Sequence, residues 1–273
     1  MPIAGSSVLP KLDREVLPKN QLALVVVQVR IPPLTKLLDS DQVAIEFMRN
    51  FDAAILGTYP IRSVGRSTNI LIKPEGAEVD REGGERLFRY ADVAQTRTVA
   101  VSPNFVSFEV RNYTDGDEFI PEFLQILTAV RDQLDVRFQL RFGLRYINEF
   151  THPEGATYEG WRDLMNRELL GFNSAEFLEG AVQQTISELT LQRSDGIFLM
   201  RRGFLRGTTV PPLSDQGVDP NRPFYLLDMD YFNMTAGVFD AKPVALIKAY
   251  NDFMYRFFRW AITPKMLNYL SGS

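Results

Sequence analysis

Cysteine is absent from this chain of 273 residues, and histidine occurs once, as His152. The lack of thiols excludes disulfides, cysteine nucleophiles and zinc sites built from cysteine. A single imidazole excludes a metal site made of several histidines and leaves one candidate for a histidine base. Because His152 follows a strand-like segment in a turn-like sequence, with no carboxylate placed beside it, we expect an exposed turn residue rather than a base.

Long apolar runs and an excess of positive charge are also missing. The longest apolar run, Leu22–Val27, is far shorter than the roughly 18 to 20 residues of a membrane span. The first twenty residues lack the apolar core of a secretory signal, so we expect a cytoplasmic protein with a polar leader at 1–20. With 34 acidic and 30 basic side chains, the net charge of -4 argues against a nucleic-acid partner.

The composition is that of a folded globular protein, and its hydrophobic periodicity switches between strand and helix. Apolar residues at helical spacing predict helices at 35–56, 119–134 and 242–262. The predicted strands cover residues 22–31, 67–72, 86–91, 95–101, 104–112, 137–146, 183–193, 197–206 and 223–233. The strands at 183–193 and 197–206 flank Ser194, Asp195 and Gly196, and the Asp-Gly pair in this segment predicts a hairpin.

This order of elements predicts an α+β fold. We expect a large bent antiparallel sheet with two or three main helices on one face, in a single domain over 21–270. The similar order of elements at 104–134 and 224–262 suggests an internal duplication, with pseudo-repeat halves at 21–150 and 182–270 joined by a linker at 151–181.

Several short motifs resemble those of a known family. They are Leu144 to Asn148 (LRYIN), Leu226 to Phe232 (LLDMDYF) and Phe257 to Pro264, together with the pair Tyr59-Pro60. In order and spacing the chain resembles a sporadically distributed prokaryotic family of proteins about 250 residues long, for which no activity is established. It departs from the family pattern at 21–24. The resemblance implies one domain of mixed α and β character in a cytoplasmic setting, and it implies no catalytic residue.

Two sets of charged residues repeat with the period of a strand. Arg137, Arg141 and Arg145 share one face of the strand at 137–146, and Asp228 and Asp230 share one face of the strand at 223–233. We predict that these strands adjoin or face each other in one sheet, so that the charges share one side. Two further acids could extend that side: Glu109 and Glu188.

These charges leave three interpretations open. In the first, the aspartates and arginines neutralise one another in ion pairs. In the second, Arg141, Arg145, Asp228 and Asp230 line a pocket for a small anionic ligand, because guanidinium groups bind phosphate or carboxylate through paired hydrogen bonds. In the third, Asp228 and Asp230 hold Mg²⁺ in an enzyme acting on a phosphorylated or nucleotide substrate. Outside that alternative we expect no metal and no cofactor.

A basic cluster and an aromatic helix complete the candidates. Arg201, Arg202 and Arg206 are expected to form a solvated rim. The last predicted helix carries aromatic side chains all round, which form either core or a dimer face. The interaction candidates on it are Tyr250, Phe253, Phe257 and Trp260.

The predicted function follows from the motifs that the sequence contains and from those that it lacks. No nucleophile motif, histidine constellation or phosphate-binding loop is found, so catalysis is not favoured. We favour a non-catalytic protein-interaction or ligand-sensing module that binds a protein partner or a second copy through the last helix and the loop at 207–223. The alternative is the Mg²⁺-dependent enzyme described above.

Overall fold

The β-branched run near the start of the chain forms strand β1 (Leu22–Arg30), in which Val25, Val27 and Val29 are fully buried and alternate with half-buried residues. The computed structural model describes residues 9, 14–66, 69–73, 76–80, 85–111, 113–171, 182–210, 219–240 and 243–272. The predicted leader at 1–20 lies mostly outside these ranges. The predicted strand at 67–72, linker at 151–181 and loop at 207–223 lie partly outside them.

Strands and helices occur in the predicted order along the described part of the chain. The strands after β1 are β2 (Ile61–Arg66), β3 (Asn69–Lys73), β4 (Gly76–Asp80), β5 (Arg86–Ala91), β6 (Arg97–Val101), β7 (Phe105–Val110), β8 (Phe138–Gln139), β9 (Arg141–Phe150), β10 (Ser187–Arg193), β11 (Gly196–Arg206), β12 (Pro223–Asn233) and β13 (Gly237–Val238). The helices are α1 (Asp41–Ile55), α2 (Gly116–Gln133), α3 (Arg167–Leu170), α4 (Val244–Ala261) and α5 (Pro264–Ser271).

Nine strands form one antiparallel sheet in the order β10-β11-β12-β9-β1-β7-β6-β5-β2. With the three helices α1, α2 and α4 of 15 to 18 residues, this confirms the predicted α+β class. Outward from β1 the strands run β7, β6, β5, and outward from β9 they run β12, β11, β10. Strand β7 therefore lies beside β1, and β12 lies beside β9.

The residues group into two compact units. Unit 1 comprises Met1–Leu24, Arg145–Tyr231 and Ala245–Ser273, and unit 2 comprises Val25–Leu144 and Phe232–Val244. Strands β1, β9 and β12 contribute to both units. The compact units thus differ in their bounds from the halves predicted at 21–150 and 182–270.

Unit 2 is built on aromatic packing between β7 and α2. Asp115 caps the N-terminus of helix α2, and its carboxylate accepts hydrogen bonds from two backbone amides of the first turn. On its buried face, Phe119 and Phe123 stack on Phe108 of β7, with ring centroids 5.6 and 6.4 Å apart. The amphipathic spacing that predicted this helix is therefore explained by the rings it buries.

Unit 1 has a core in which the predicted linker takes part. Trp161 is fully buried, and its indole nitrogen donates to the carbonyl oxygen of Gly155 at 3.0 Å. Met165 pairs with Ile262 after α4 in an isolated bridge. The described residues 153–171 therefore contribute to the packed core of unit 1. None of the helices in the described ranges has the length and apolar character that crossing a membrane requires.

Candidate functional site

The arginine and aspartate repeats meet in a paired hydrogen bond between Arg145 and Asp228. Strands β9 and β12 are neighbours in the sheet, so residues that alternate on each strand can share a face. Nε and Nη2 of Arg145 donate to the two carboxylate oxygens of Asp228, each at 2.7 Å. The Asp228 side chain is 4% exposed and that of Arg145 is 37% exposed. The predicted pairing is therefore confirmed for these two residues.

The pairing continues across two more strands of unit 1. Nη1 of Arg201 on β11 lies 3.5 Å from the second carboxylate oxygen of Asp228. Nε of Arg201 donates to Glu188 on β10 at 2.8 Å, and the strand register places these two residues opposite each other. We call Glu188, Arg201, Asp228 and Arg145 the charged row. Its charges alternate in sign from strand to strand over β10, β11, β12 and β9.

The surroundings of Arg145 keep its guanidinium group charged. Burial of Arg145 opposes its charge, but the hydrogen bonds and negative charge of Asp228 outweigh burial and raise the pKa of the Arg145 guanidinium. The charge of Asp230, which is half-buried, acts in the same direction. Arg145 therefore interacts with both predicted aspartates, although only Asp228 forms the paired hydrogen bonds described above.

The charged row lies on the sheet face opposite α4. On β12 and β11, Tyr231 and Phe198 contact aromatic rings of α4, whereas Asp228 and Arg201 stand at positions of the other parity. Half-buried Leu199 stands on the same face as Arg201, two residues away along the strand. The face therefore combines alternating charges with partly exposed apolar surface.

A second buried carboxylate, Glu149, follows Arg145 on the same face of β9. One of its oxygens accepts hydrogen bonds from the backbone amide of Thr209 at 2.6 Å, and both accept from the hydroxyl of Thr208. Nη2 of Arg222 donates to it at 2.6 Å. Glu149 therefore fixes the chain after β11 to the sheet. Glu149 was not among the predicted site residues, although its position in the alternation after Arg145 was an available signal.

The other two arginines of the predicted row have different surroundings, in unit 2. Arg137 pairs with exposed Asp135 beside β8. The guanidinium of Arg141 lies over the ring of Phe232, 4.2 Å from its centroid. It also covers Gly143, where an added Cβ would come within 2.6 Å of Nη1 of Arg141, so a larger residue there would have to displace the guanidinium. Glu109 pairs with Arg89 of β5.

The predicted basic cluster does not act as one rim. Arg201 belongs to the charged row. Arg202 points to the other face, where burial raises the pKa of the Tyr225 hydroxyl and the charge of Arg202 partly offsets that rise. Arg206 is exposed and donates to the carbonyl oxygen of Asn221 at 3.3 Å.

The aromatic interaction candidates pack largely inside unit 1. Tyr250 is fully buried and stacks on Tyr231, with ring centroids 4.1 Å apart. Phe253 and Phe257 are buried against Phe198 of β11. Trp260 is half-buried. Most of these rings therefore pack α4 against the sheet, and little of their surface is exposed to a partner.

The hydroxyl end of the aromatic stack is also held. Tyr231 bonds to the carboxylate of Asp195, and Nε of Arg193 donates to the Tyr231 hydroxyl at 2.7 Å. Burial, followed by the hydrogen bond to Asp195, raises the pKa of the Tyr231 hydroxyl. The hydroxyl of Tyr250 donates to the carbonyl oxygen of Asp195 at 3.0 Å. These bonds fix the β10–β11 turn to the core of unit 1.

Metal and histidine chemistry gain little support from the geometry. Among the described residues, no group of three or more His, Asp and Glu side chains is placed to hold a metal ion. Both oxygens of Asp228 accept from Arg145, so a cation would have to displace a guanidinium. Nδ1 of His152 accepts from the amide of Glu154 and its ring lies against Tyr269, at the start of a short helix. Burial lowers the pKa of His152.

Comparison with known proteins does not add to the description of this site. No family model matches the chain, and no curated protein matches it. The resemblance to the prokaryotic family of about 250 residues therefore stays an expectation from the motifs. The motif residues Arg145 and Asp228 are the two that form the central pair of the charged row.

Proposed function

We propose that the chain is a non-catalytic protein-interaction module that binds a protein partner through the charged row of unit 1. The observation that carries this proposal is the paired hydrogen bond between Arg145 and Asp228, which neutralises the best candidate for a catalytic or metal-binding carboxylate. In keeping with the family resemblance, we place the module in a cytoplasmic prokaryotic system.

The chemistry of the sheet face that carries the charged row suits a protein partner better than a small anionic ligand. Among its four members, two negative and two positive charges balance, so the row offers no strong net attraction to a phosphate. The guanidinium groups of Arg145 and Arg201 are 37% and 31% exposed, while the carboxylate between them is buried. Partly exposed arginines beside apolar side chains are typical of protein interfaces, where arginine is enriched.

Site-specific photo-crosslinking tests this proposal. The variant Glu188→p-benzoylphenylalanine places the probe at the exposed end of the charged row, where the side chain is 51% exposed. Asp252→p-benzoylphenylalanine is the matched control, because Asp252 is an acid of α4 with 59% exposure. In the host cell we expect from position 188 a discrete crosslinked protein that differs in mass from a crosslinked dimer of the chain, and none of that size from position 252. Equal crosslinking from both positions, or none from either, would contradict the proposal.

Melting-temperature measurements distinguish this proposal from the two alternatives, the Mg²⁺-dependent enzyme and a small-ligand module. If either alternative were correct, nucleotides or inorganic phosphate would raise the melting temperature of the chain, because a ligand that binds only the native state stabilises that state. We expect no shift with these compounds, with or without Mg²⁺. A Mg²⁺-dependent shift that Asp230→Asn abolishes would favour the enzyme, and a Mg²⁺-independent shift would favour an anion-binding site.

A further inference from the structure

We propose that the chain forms a symmetric dimer in which β10 of one copy pairs with β10 of a second copy. The inference rests on the outer edge of the sheet and not on the charged row. Strand β10 is the first in the strand order and pairs with β11 alone in the described residues. Its five central residues, 188–192, are exposed. An exposed strand edge offers unpaired backbone groups to another strand.

The register of the β10–β11 hairpin shows which backbone groups point outward. Arg193 and Gly196 flank a two-residue turn and form its closing pair. In an antiparallel pair, hydrogen-bonded and non-hydrogen-bonded positions alternate from that point. The amides and carbonyls of 187, 189, 191 and 193 therefore face β11, whereas those of Glu188, Thr190 and Gln192 face outward.

The outward edge is complementary to itself. Antiparallel pairing centred on Thr190 places Thr190 opposite its own copy and Glu188 opposite Gln192, so all the outward groups meet outward groups. Leu189 then faces Leu191 of the second copy at a non-hydrogen-bonded position, where side chains approach most closely. These leucines are 43% and 37% exposed in the single chain. No like charges face each other in this register.

The edge carries few of the features that normally prevent pairing, with one acid, Glu188, and one base, Arg193. Between Ser187 and Arg193 there is no lysine, proline or glycine. Strand β2, the last strand in the order, differs because it contains Gly65 and two arginines, Arg62 and Arg66. Self-pairing is therefore favoured at β10 and disfavoured at β2.

The absence of cysteine makes the proposed register directly testable. Thr190→Cys places one thiol on the symmetry axis, at a spacing a disulfide can bridge. Ser63→Cys places one thiol at an exposed position of β2 as the control. Under mild oxidation at low protein concentration we expect a covalent dimer from Thr190→Cys and no more than collisional crosslinking from Ser63→Cys. Equal yields from the two variants would overturn the proposal.

Sedimentation equilibrium of the full chain measures the same dimer without a crosslink. We expect a mass that rises with concentration towards twice that of the single chain. Leu191→Lys, which adds a charge at the edge, should weaken the dimer by about tenfold or more, equivalent to about 1.4 kcal/mol. Thr190→Pro, which removes an outward-facing N–H, should also weaken it and guards against a folding defect in either variant. A strict monomer, or a dimer unchanged in both folded variants, would overturn the proposal.

Discussion

The two compact units place their ion pairs differently. In unit 2, Arg97 of β6 donates to Glu122 of α2 at 2.8 Å, and Arg62 of β2 lies 3.2 Å from Asp52 of α1. These pairs connect helices to the sheet. In unit 1, the charged row connects strand to strand on the face opposite α4. The difference teaches that these two pairs of unit 2 serve helix docking, whereas the charged row of unit 1 remains at a surface that a partner can contact.

The largest effect is expected from breaking the buried end of the charged row. Arg145→Met leaves the carboxylate of Asp228 buried with only the more distant Arg201 beside it, and we expect a loss of about 3 kcal/mol in the free energy of unfolding. Urea denaturation measures it. Arg137→Met is the control, because Arg137 and Asp135 are both exposed, and it should cost less than about 0.5 kcal/mol. Similar losses in the two variants would contradict the account.

A smaller loss is expected at the second buried carboxylate. Glu149→Gln keeps the shape of the side chain but weakens its bonds to Thr209 and Arg222, and we expect a loss of about 2 kcal/mol. Hydrogen exchange should also accelerate at the amide of Thr209. Glu188→Gln, on the exposed end of the charged row, should leave that amide unchanged. Unaltered exchange in Glu149→Gln would show that the loop is held by other contacts.

The corresponding change in unit 2 sharpens the comparison. Arg97→Met should cost about 1 to 2 kcal/mol, less than Arg145→Met, because Glu122 is 17% exposed and keeps the hydrogen bond from the Tyr59 hydroxyl. Urea denaturation under the same conditions gives the comparison. A loss larger than that of Arg145→Met would reverse the order of the two units.

The smallest effect concerns pH. Burial lowers the pKa of His152 in the folded chain, so the unfolded chain takes up its proton first as pH falls. We expect this histidine to reduce stability slightly as pH drops below about 6.5, the ordinary pKa of the group. His152→Asn keeps a capping acceptor and should remove that part of the pH dependence. An unchanged pH profile would assign the dependence to other groups.

The sequence predicted the elements of the site better than their surroundings. The alternation on β9 and β12 sufficed to bring Arg145 to Asp228, because period two fixes which side chains share a face. An Asp195-Gly196 turn would have placed Glu188 opposite Gly203, whereas the observed turn at Ser194-Asp195 places Glu188 opposite Arg201, which was predicted to lie in a solvated rim. The partner of Arg201 therefore depended on which two residues form the turn, and the sequence pattern did not predict them correctly.

Other features of the site depend on contacts between distant parts of the chain. The partners of Glu149 lie about sixty to seventy residues away and include a backbone amide, which no periodicity identifies. The rings of Tyr250 and Phe253 were predicted as either core or partner surface. Only the position of Tyr231 and Phe198 on the sheet shows that α4 turns them inward.

A double-mutant cycle between Arg145 and Asp228 tests the central claim most directly. The cycle compares Arg145→Met, Asp228→Leu and the double variant by urea denaturation. We predict a coupling free energy of about 2 kcal/mol or more, with the double variant more stable than Arg145→Met alone, because it removes the buried carboxylate that the single variant leaves unpaired. A coupling below about 0.5 kcal/mol would contradict the claim that this pair neutralises the charged row.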